Sequence, residues 1–185
     1  MKKIIIIILA ITFTSCNSNS LKKEFDCVTN TNFSELKEHR DFLKNFRIKV
    51  PKSWKTTHYY DEYSSEIYSA DTTKQLTETI ILEMAWRQGE LNLDTDFAKK
   101  INDTIQQREL LKLTKEGYGT FKEKPMYYNL SEGYRSGISY HYLQVYLKTN
   151  IDEYIMLTSK IFGNKLTEER ICESVELFET LELIE

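Results

Sequence analysis

Residues 138–161 read ISYHYLQVYLKTNIDEYIMLTSKI, and they decide the fold. Side chains alternate along an extended chain. In 138–148, His141, Leu143, Val145 and Leu147 therefore share one face, and Tyr140, Tyr142, Gln144 and Tyr146 the other. The run 152–161 splits the same way, into Ile155, Leu157, Ser159, Ile161 and Tyr154, Met156, Thr158, Lys160. Between the runs lies KTNID (148–152), too short for the dozen or more residues that a crossover between parallel neighbours needs. The two strands are thus antiparallel. Large side chains occupy both faces, and a sheet of that kind is covered by helices on both sides.

Working outward, GYRSG (133–137) imposes an equally short link onto strand-like runs near 126–132, 118–122 and 110–115. Glu78 to Arg87 (ETIILEMAWR) is a further strand, with Ile80, Leu82, Met84 and Trp86 as a fully apolar face. Ser65 to Ala70 is a weaker strand, and Phe46 to Val50 (FRIKV) alternates cleanly before Pro51. Asp94 is placed to cap a helix continuing to about Arg108, with Asp96 in its first turn and Phe97, Ala98, Ile101 and Ile105 as its apolar stripe. A closing helix begins near Thr167 and buries Ile171, Val175, Phe178 and Leu181. A short leading helix is expected to carry Phe33, Leu36, Arg40 and Leu43. Glycines 89, 117, 119, 133, 137 and 163 are expected at breaks, and Pro51 and Pro125 at strand edges. Together these elements make an α+β domain: an antiparallel β-sheet with helices on both faces, an α/β/α sandwich.

The run Phe46-x-Ile48-x-Val50-Pro51-x-x-Trp54, followed by a long strand, an inserted helix, a meander and a closing helix, resembles the PsbP-like superfamily over about residues 44–182. That superfamily includes the DcrB-like bacterial lipoproteins. The resemblance implies an α/β/α sandwich and a mostly non-catalytic role, since its members include extrinsic photosystem subunits, a nuclear-transport GTPase cofactor and secretion-effector chaperones. No functional residue carries over, because no binding motif of those members is present here.

The N-terminus speaks to address. Met1-Lys2-Lys3 precedes a ten-residue apolar run, Ile4 to Phe13. Such a run matches the core of an export signal and falls short of the roughly 20 residues of a membrane-spanning helix. Phe13-Thr14-Ser15-Cys16 resembles the bacterial lipobox, with Phe13 where leucine or valine is usual. The resemblance implies a signal peptide over 1–15 and a lipidated Cys16 that ties the chain to a membrane. The polar stretch 16–32 is expected to be a flexible tether of roughly 20 Å, with one domain over 33–185. The expected site is the cell envelope, at the outer rather than the inner membrane, because Asn17 replaces the aspartate that favours inner-membrane retention in some bacteria.

Removing 1–15 takes Lys2 and Lys3 from the 25 basic residues and none of the 28 acidic ones, leaving a net charge of −5. A mildly acidic domain has no reason to seek a phosphate backbone, whose binding is driven by basic patches, so nucleic acid is not an expected partner. With Cys16 acylated, Cys27 and Cys172 remain, either paired in a disulfide-permitting compartment or both free. His39, His58 and His141 stand at no metal-ligand spacing, and no paired CxxC exists, so no metal site and no cofactor are expected. Ser136 in GYRSG has the wrong offset for a nucleophile elbow, and no catalytic residue is assigned.

Two aromatic clusters remain. Tyr59-Tyr60-Asp61-Glu62-Tyr63 is either the end of a strand whose tyrosines pack on the sheet, the plainer reading, or an exposed partner-binding loop. The stripe Tyr140, Tyr142, Tyr146 is read as lying under a helix. The expected function is a non-enzymatic protein-binding or assembly module. An immunity-type protein neutralising a periplasmic toxin and an envelope hydrolase are the alternatives.

Overall fold

A computed structural model describes residues 20–28, 31 and 33–184. In chain order the elements are helix α1 (Leu21–Glu24), strands β1 (Leu36–Arg40), β2 (Phe46–Pro51), β3 (Lys55–Tyr60), β4 (Ser64–Ala70) and β5 (Ile80–Gln88), helix α2 (Thr95–Thr104), strands β6 (Lys112–Phe121), β7 (Lys124–Arg135), β8 (Ile138–Lys148) and β9 (Glu153–Phe162), helix α3 (Thr167–Phe178), and strand β10 (Glu182–Leu183). Seven strands form one sheet in the order β3-β4-β5-β9-β8-β7-β6; β1, β2 and β10 form a second, small sheet. All pairings are antiparallel. The short links after β7 and β8 act as the spacing predicts, and the architecture is α+β.

Period-2 alternation sorts the large sheet into two faces. Ile80, Leu82, Met84 and Trp86 join Leu143, Val145, Leu147, Ile155, Leu157 and Ile161 in the main core, under Val175 and Phe178 of α3 and Phe46, Ile48 and Val50 of β2. Each such side chain contributes roughly 1.5–3 kcal/mol when fully buried. The opposite face carries Tyr127 and Tyr146, packed with Ala98 and Phe97 of α2. Beyond α2 a π-helical turn, Ile105–Glu109, sets Ile105 beside Leu111 and Tyr140. The Tyr140–Tyr146 stripe is therefore covered, as the alternation suggests.

Asp94 caps α2 by accepting from Phe97 N at 2.8 Å. Arg170 of α3 sits buried, and its guanidinium donates to the carbonyls of Phe162 (2.6 Å), Gly163 (2.9 Å) and Thr79 (3.4 Å). Those bonds tie α3 to the end of β9.

The structure departs from the sequence reading at four places. The expected leading helix is instead β1, paired with β2 from Leu36↔Pro51 to Arg40↔Arg47. Leu36 and Leu43 are exposed, so no apolar stripe held that segment helical, and main-chain pairing to β2 prevailed. Second, part of the expected tether is folded. Leu21 is wholly buried in the main core, Phe25 and Cys27 pack beside it, and Cys27 is bonded to Cys172 of α3 with Cα atoms 5.3 Å apart. Tyr128 also donates to Glu24 Oε2 at 2.6 Å. Mean composition missed this because three well-placed apolar side chains are enough when a distant element receives them. Third, 110–115 and 118–122 are one strand, β6, with an irregularity between Leu113 and Lys115. Fourth, glycines 117, 119 and 133 lie inside strands. A Cβ at Gly117 would stand 2.7 Å from the Tyr128 hydroxyl, so the glycine is there to let that ring pass. The signal peptide, Cys16 and the first part of the tether lie outside the described residues.

Candidate functional site

Two turns meet beside the edge strand β3. In the first, Asp41 Oδ1 accepts from Phe46 N at 2.7 Å, closing a loop in which Lys44 takes a positive φ of 67°. Its apex is fixed to the large sheet, because Ser65 Oγ of β4 accepts from Phe42 N (3.0 Å) and Leu43 N (3.3 Å). In the second, Asp61 Oδ1 accepts from Tyr63 N at 2.8 Å and Asp61 N donates to Ser64 O at 2.9 Å, which reverses the chain between β3 and β4.

The result is an exposed aromatic edge, with Tyr60 on the face of β3 that meets the first turn and Tyr59 on the opposite face. Phe42 lies flat on Tyr60, with ring centroids 3.7 Å apart and planes 4° apart. Tyr59 stands edge-on to Tyr68 at 5.5 Å. Phe42, Tyr59, Tyr60 and Tyr63 are 55%, 57%, 56% and 59% exposed. Tyr59 and Tyr60 do end a strand, as the plainer expectation has it, and Tyr59 packs against Tyr68 of the next strand, yet all three tyrosines remain more than half exposed. Glu62 is exposed beside them. Asp61 is held below the usual carboxylate range, first by the Tyr63 backbone N–H and then by the Ser64 hydroxyl. It stays ionised at neutral pH. At the same end of the sheet, Arg87 of β5 pairs with Glu66 at 2.5 Å.

Phe42 was not singled out from sequence and Leu43 was read only as part of the expected leading helix. The signal that could have found them is local: Asp41 and Asn45 bracket the pair, and both residue types favour turns.

The other sequence candidates are dispersed. His39 and His58 come together from β1 and β3, with ring nitrogens 3.4 Å apart. His141 is distant on β8, with Ser139 Oγ at 3.5 Å and Glu132 at 4.0 Å. Among the described residues no group of three or more potential ligands gathers for a metal ion. Ser136 sits in the β7–β8 turn with a φ of 51°.

No family model matches the chain, and no curated protein matches its sequence. Solved structures do match it. The cyanobacterial PsbP, CyanoP, of Synechocystis sp. PCC 6803 superposes with a TM-score of 0.63, covering 85% of this chain and 99% of its own, at 10% identity. The fold is PsbP-like. A second structure, the Ran-binding protein Mog1p of Saccharomyces cerevisiae, gives a TM-score of 0.54 over 82% of this chain and 96% of its own, at 8% identity. At such identities the likeness is one of fold, and fold does not set function. In this PsbP-like domain Phe42 and Tyr63 stand in turns, where binding residues are commonly carried on a rigid sheet, and Tyr59 and Tyr60 end the edge strand beside them.

Proposed function

We propose that this chain is a non-enzymatic binding module, held at the cell envelope by a lipid on Cys16, that contacts another protein through Phe42, Tyr59, Tyr60 and Tyr63. One observation carries the reading: Phe42 of the first turn stacks on Tyr60 at the end of β3, and these two rings, with Tyr59 and Tyr63 at the same sheet edge, stand more than half exposed. Rigid aromatic side chains offer large contact area at low cost in conformational entropy, and interface energy concentrates in such anchors. Asp61 and Glu62 at the rim add negative charge, which speeds encounter with a basic partner and makes association weaken with salt. That another protein of this fold is described as Ran-binding agrees with use of the scaffold for protein contacts.

The test is crosslinking in cells from a photoreactive residue at the exposed position 62, with and without the triple substitution Tyr59→Ala, Tyr60→Ala, Tyr63→Ala. A single dominant partner, lost in the triple variant while the thermal midpoint holds, supports the reading. Crosslinks unchanged by the substitution overturn it. The anchor is tested separately: Cys16→Ser releases the domain to the soluble fraction or leaves the signal uncut, and unchanged membrane attachment sinks that part.

A further inference from the structure

β3 is an outer strand of the seven-stranded sheet, paired with β4 on one side only. In an antiparallel ladder, residues that exchange both main-chain bonds with the partner strand alternate with residues that turn both groups away from it. Two turn bonds fix that alternation here. Gln88 N donates to Tyr63 O at 2.9 Å and Asp71 N to Ile80 O at 3.1 Å, so Ser65, Ile67 and Ser69 of β4 bond to β5 and not to β3. The residues opposite them on β3 are Tyr60, His58 and Thr56, whose N–H and C=O groups therefore point outward. The bond from Asp61 N to Ser64 O has the same parity. A donor and an acceptor thus stand at every second residue of the edge, and they meet no hydrogen-bond partner among the described residues.

The other outer strand is defended and this one is not. β6 breaks its register between Leu113 and Lys115, and it carries Lys112 and Lys115 with Gly117 and Gly119. Bulges and lysines are the usual means by which a protein blocks pairing along an outer strand. β3 keeps an unbroken register from Lys55↔Ala70 to Tyr60↔Ser65. Thr56, Thr57, Tyr59 and Tyr60 are residue types that favour strands, and His58, Tyr59 and Tyr60 are exposed.

We infer that β3 receives an extended segment of another protein as an eighth, antiparallel strand. The inference rests on the proposed binding function and makes its partner specific: the segment is held by its main chain as well as by the rings. Unmet main-chain groups at every second residue are the complement of another extended main chain. One side of the added strand meets Tyr60 with Phe42 stacked on it at 3.7 Å, then His58 with His39 at 3.4 Å between ring nitrogens, so that side takes apolar residues at alternate positions. The other side meets Tyr59 and Thr57. Lys55 opens β3 and Asp61 and Glu62 follow it, so an antiparallel segment is matched by a basic residue at its start and an acidic residue at its end.

The test uses the mature chain, residues 16–185 with Cys16→Ser, and the peptide acetyl-Arg-Val-Thr-Val-Thr-Val-Glu-amide as the probe. The expected result is a saturable shift and slowed hydrogen exchange of the Thr56, His58 and Tyr60 amides. In this register the peptide's valines turn their N–H groups to β3 and its threonines turn theirs away. N-methylation at the valines should weaken binding at least about tenfold, and at the threonines less than about twofold. His58→Pro removes an outward N–H without touching the β3–β4 ladder, and should weaken the peptide about tenfold while His58→Ala does not. The N-methyl series is read on the parent protein, so it decides the matter whether or not the proline variant folds. No saturable shift up to about 5 mM overturns the inference. Equal effects of N-methylation at valines and threonines overturn it as well, leaving only side-chain docking on the rings. Dimers of the chain alone that are lost in His58→Pro would give the edge to a second copy and overturn the assignment of a partner's segment. The two readings fail separately: crosslinks in cells that survive the tyrosine substitutions sink the aromatic contact, and the N-methyl pattern decides the added strand.

Discussion

Phe42 of the first turn and Tyr60 at the end of β3 lie face to face, their planes 4° apart and both rings open to solvent. Neither ring is part of the core, so their contact orders the surface more than it stabilises the fold. A double-mutant cycle on Phe42→Ala and Tyr60→Ala should return a coupling of about 0.5–1.5 kcal/mol in chemical denaturation. Each single change should leave the main unfolding transition almost in place. A loss of several kcal/mol from either one would mean that the rings hold the fold and are not there for a partner.

The Cys27–Cys172 bond closes a loop of 145 residues. In the chain-entropy account a loop of that length contributes about 4 to 5 kcal/mol. Reduction, or Cys27→Ser with Cys172→Ser, should lower the denaturation midpoint accordingly and detach α1 from the core first. Free thiols in non-reducing mass spectrometry of the exported protein would contradict the bond.

Two histidines make stability depend on pH. His39 is held below its ordinary value by burial first, then by Lys37 and His58. His141 is lowered by burial first and by Arg170, with Glu132 opposing. A histidine with a depressed folded pKa binds fewer protons in the native state than in the unfolded chain. Its contribution is therefore complete above the unfolded value near 6.5 and falls as pH drops through that value towards the folded one. The thermal midpoint should fall between about pH 7 and pH 5, and His39→Gln with His141→Gln should flatten that slope. An unchanged slope in the double variant would assign the pH dependence elsewhere.

Arg170 and Gly163 form the joint between β9 and α3. Arg170→Ala leaves the carbonyls of Phe162 and Gly163 without their donor, and should cost about 3 kcal/mol or more. Gly163 has a φ of 81°, and a Cβ there would run into the carbonyl of Thr77. Gly163→Ala should cost at least about 2 kcal/mol. Gly137 has a similar φ of 77° but open space around its Cβ position, so Gly137→Ala serves as the milder control, expected near 1 kcal/mol. Equal losses at the two glycines would show that backbone conformation alone matters.

The large sheet was legible because two local signals agree on it. Alternation at 138–148 and 152–161 assigns each side chain to a face, and the five-residue links forbid parallel neighbours. Both follow from the geometry of an extended chain and need no knowledge of what packs where. The helix cap at Asp94 and the apolar face of β5 were legible for the same reason.

What the tertiary structure decided is everything that depends on a partner far along the chain. Leu36 to Arg40 became a strand only because β2 was there to pair with it. Leu21 became core only because α3 and the sheet left a place for it, and Cys27 because Cys172 stood opposite. The tyrosines at 59–63 were visible in sequence, yet their joining with Phe42 was not, since Ser65 had to draw the first turn onto β4. The open edge of β3 is of the same kind. Whether a main-chain N–H finds an acceptor is settled by three-dimensional neighbours, and periodicity along a chain carries no record of them.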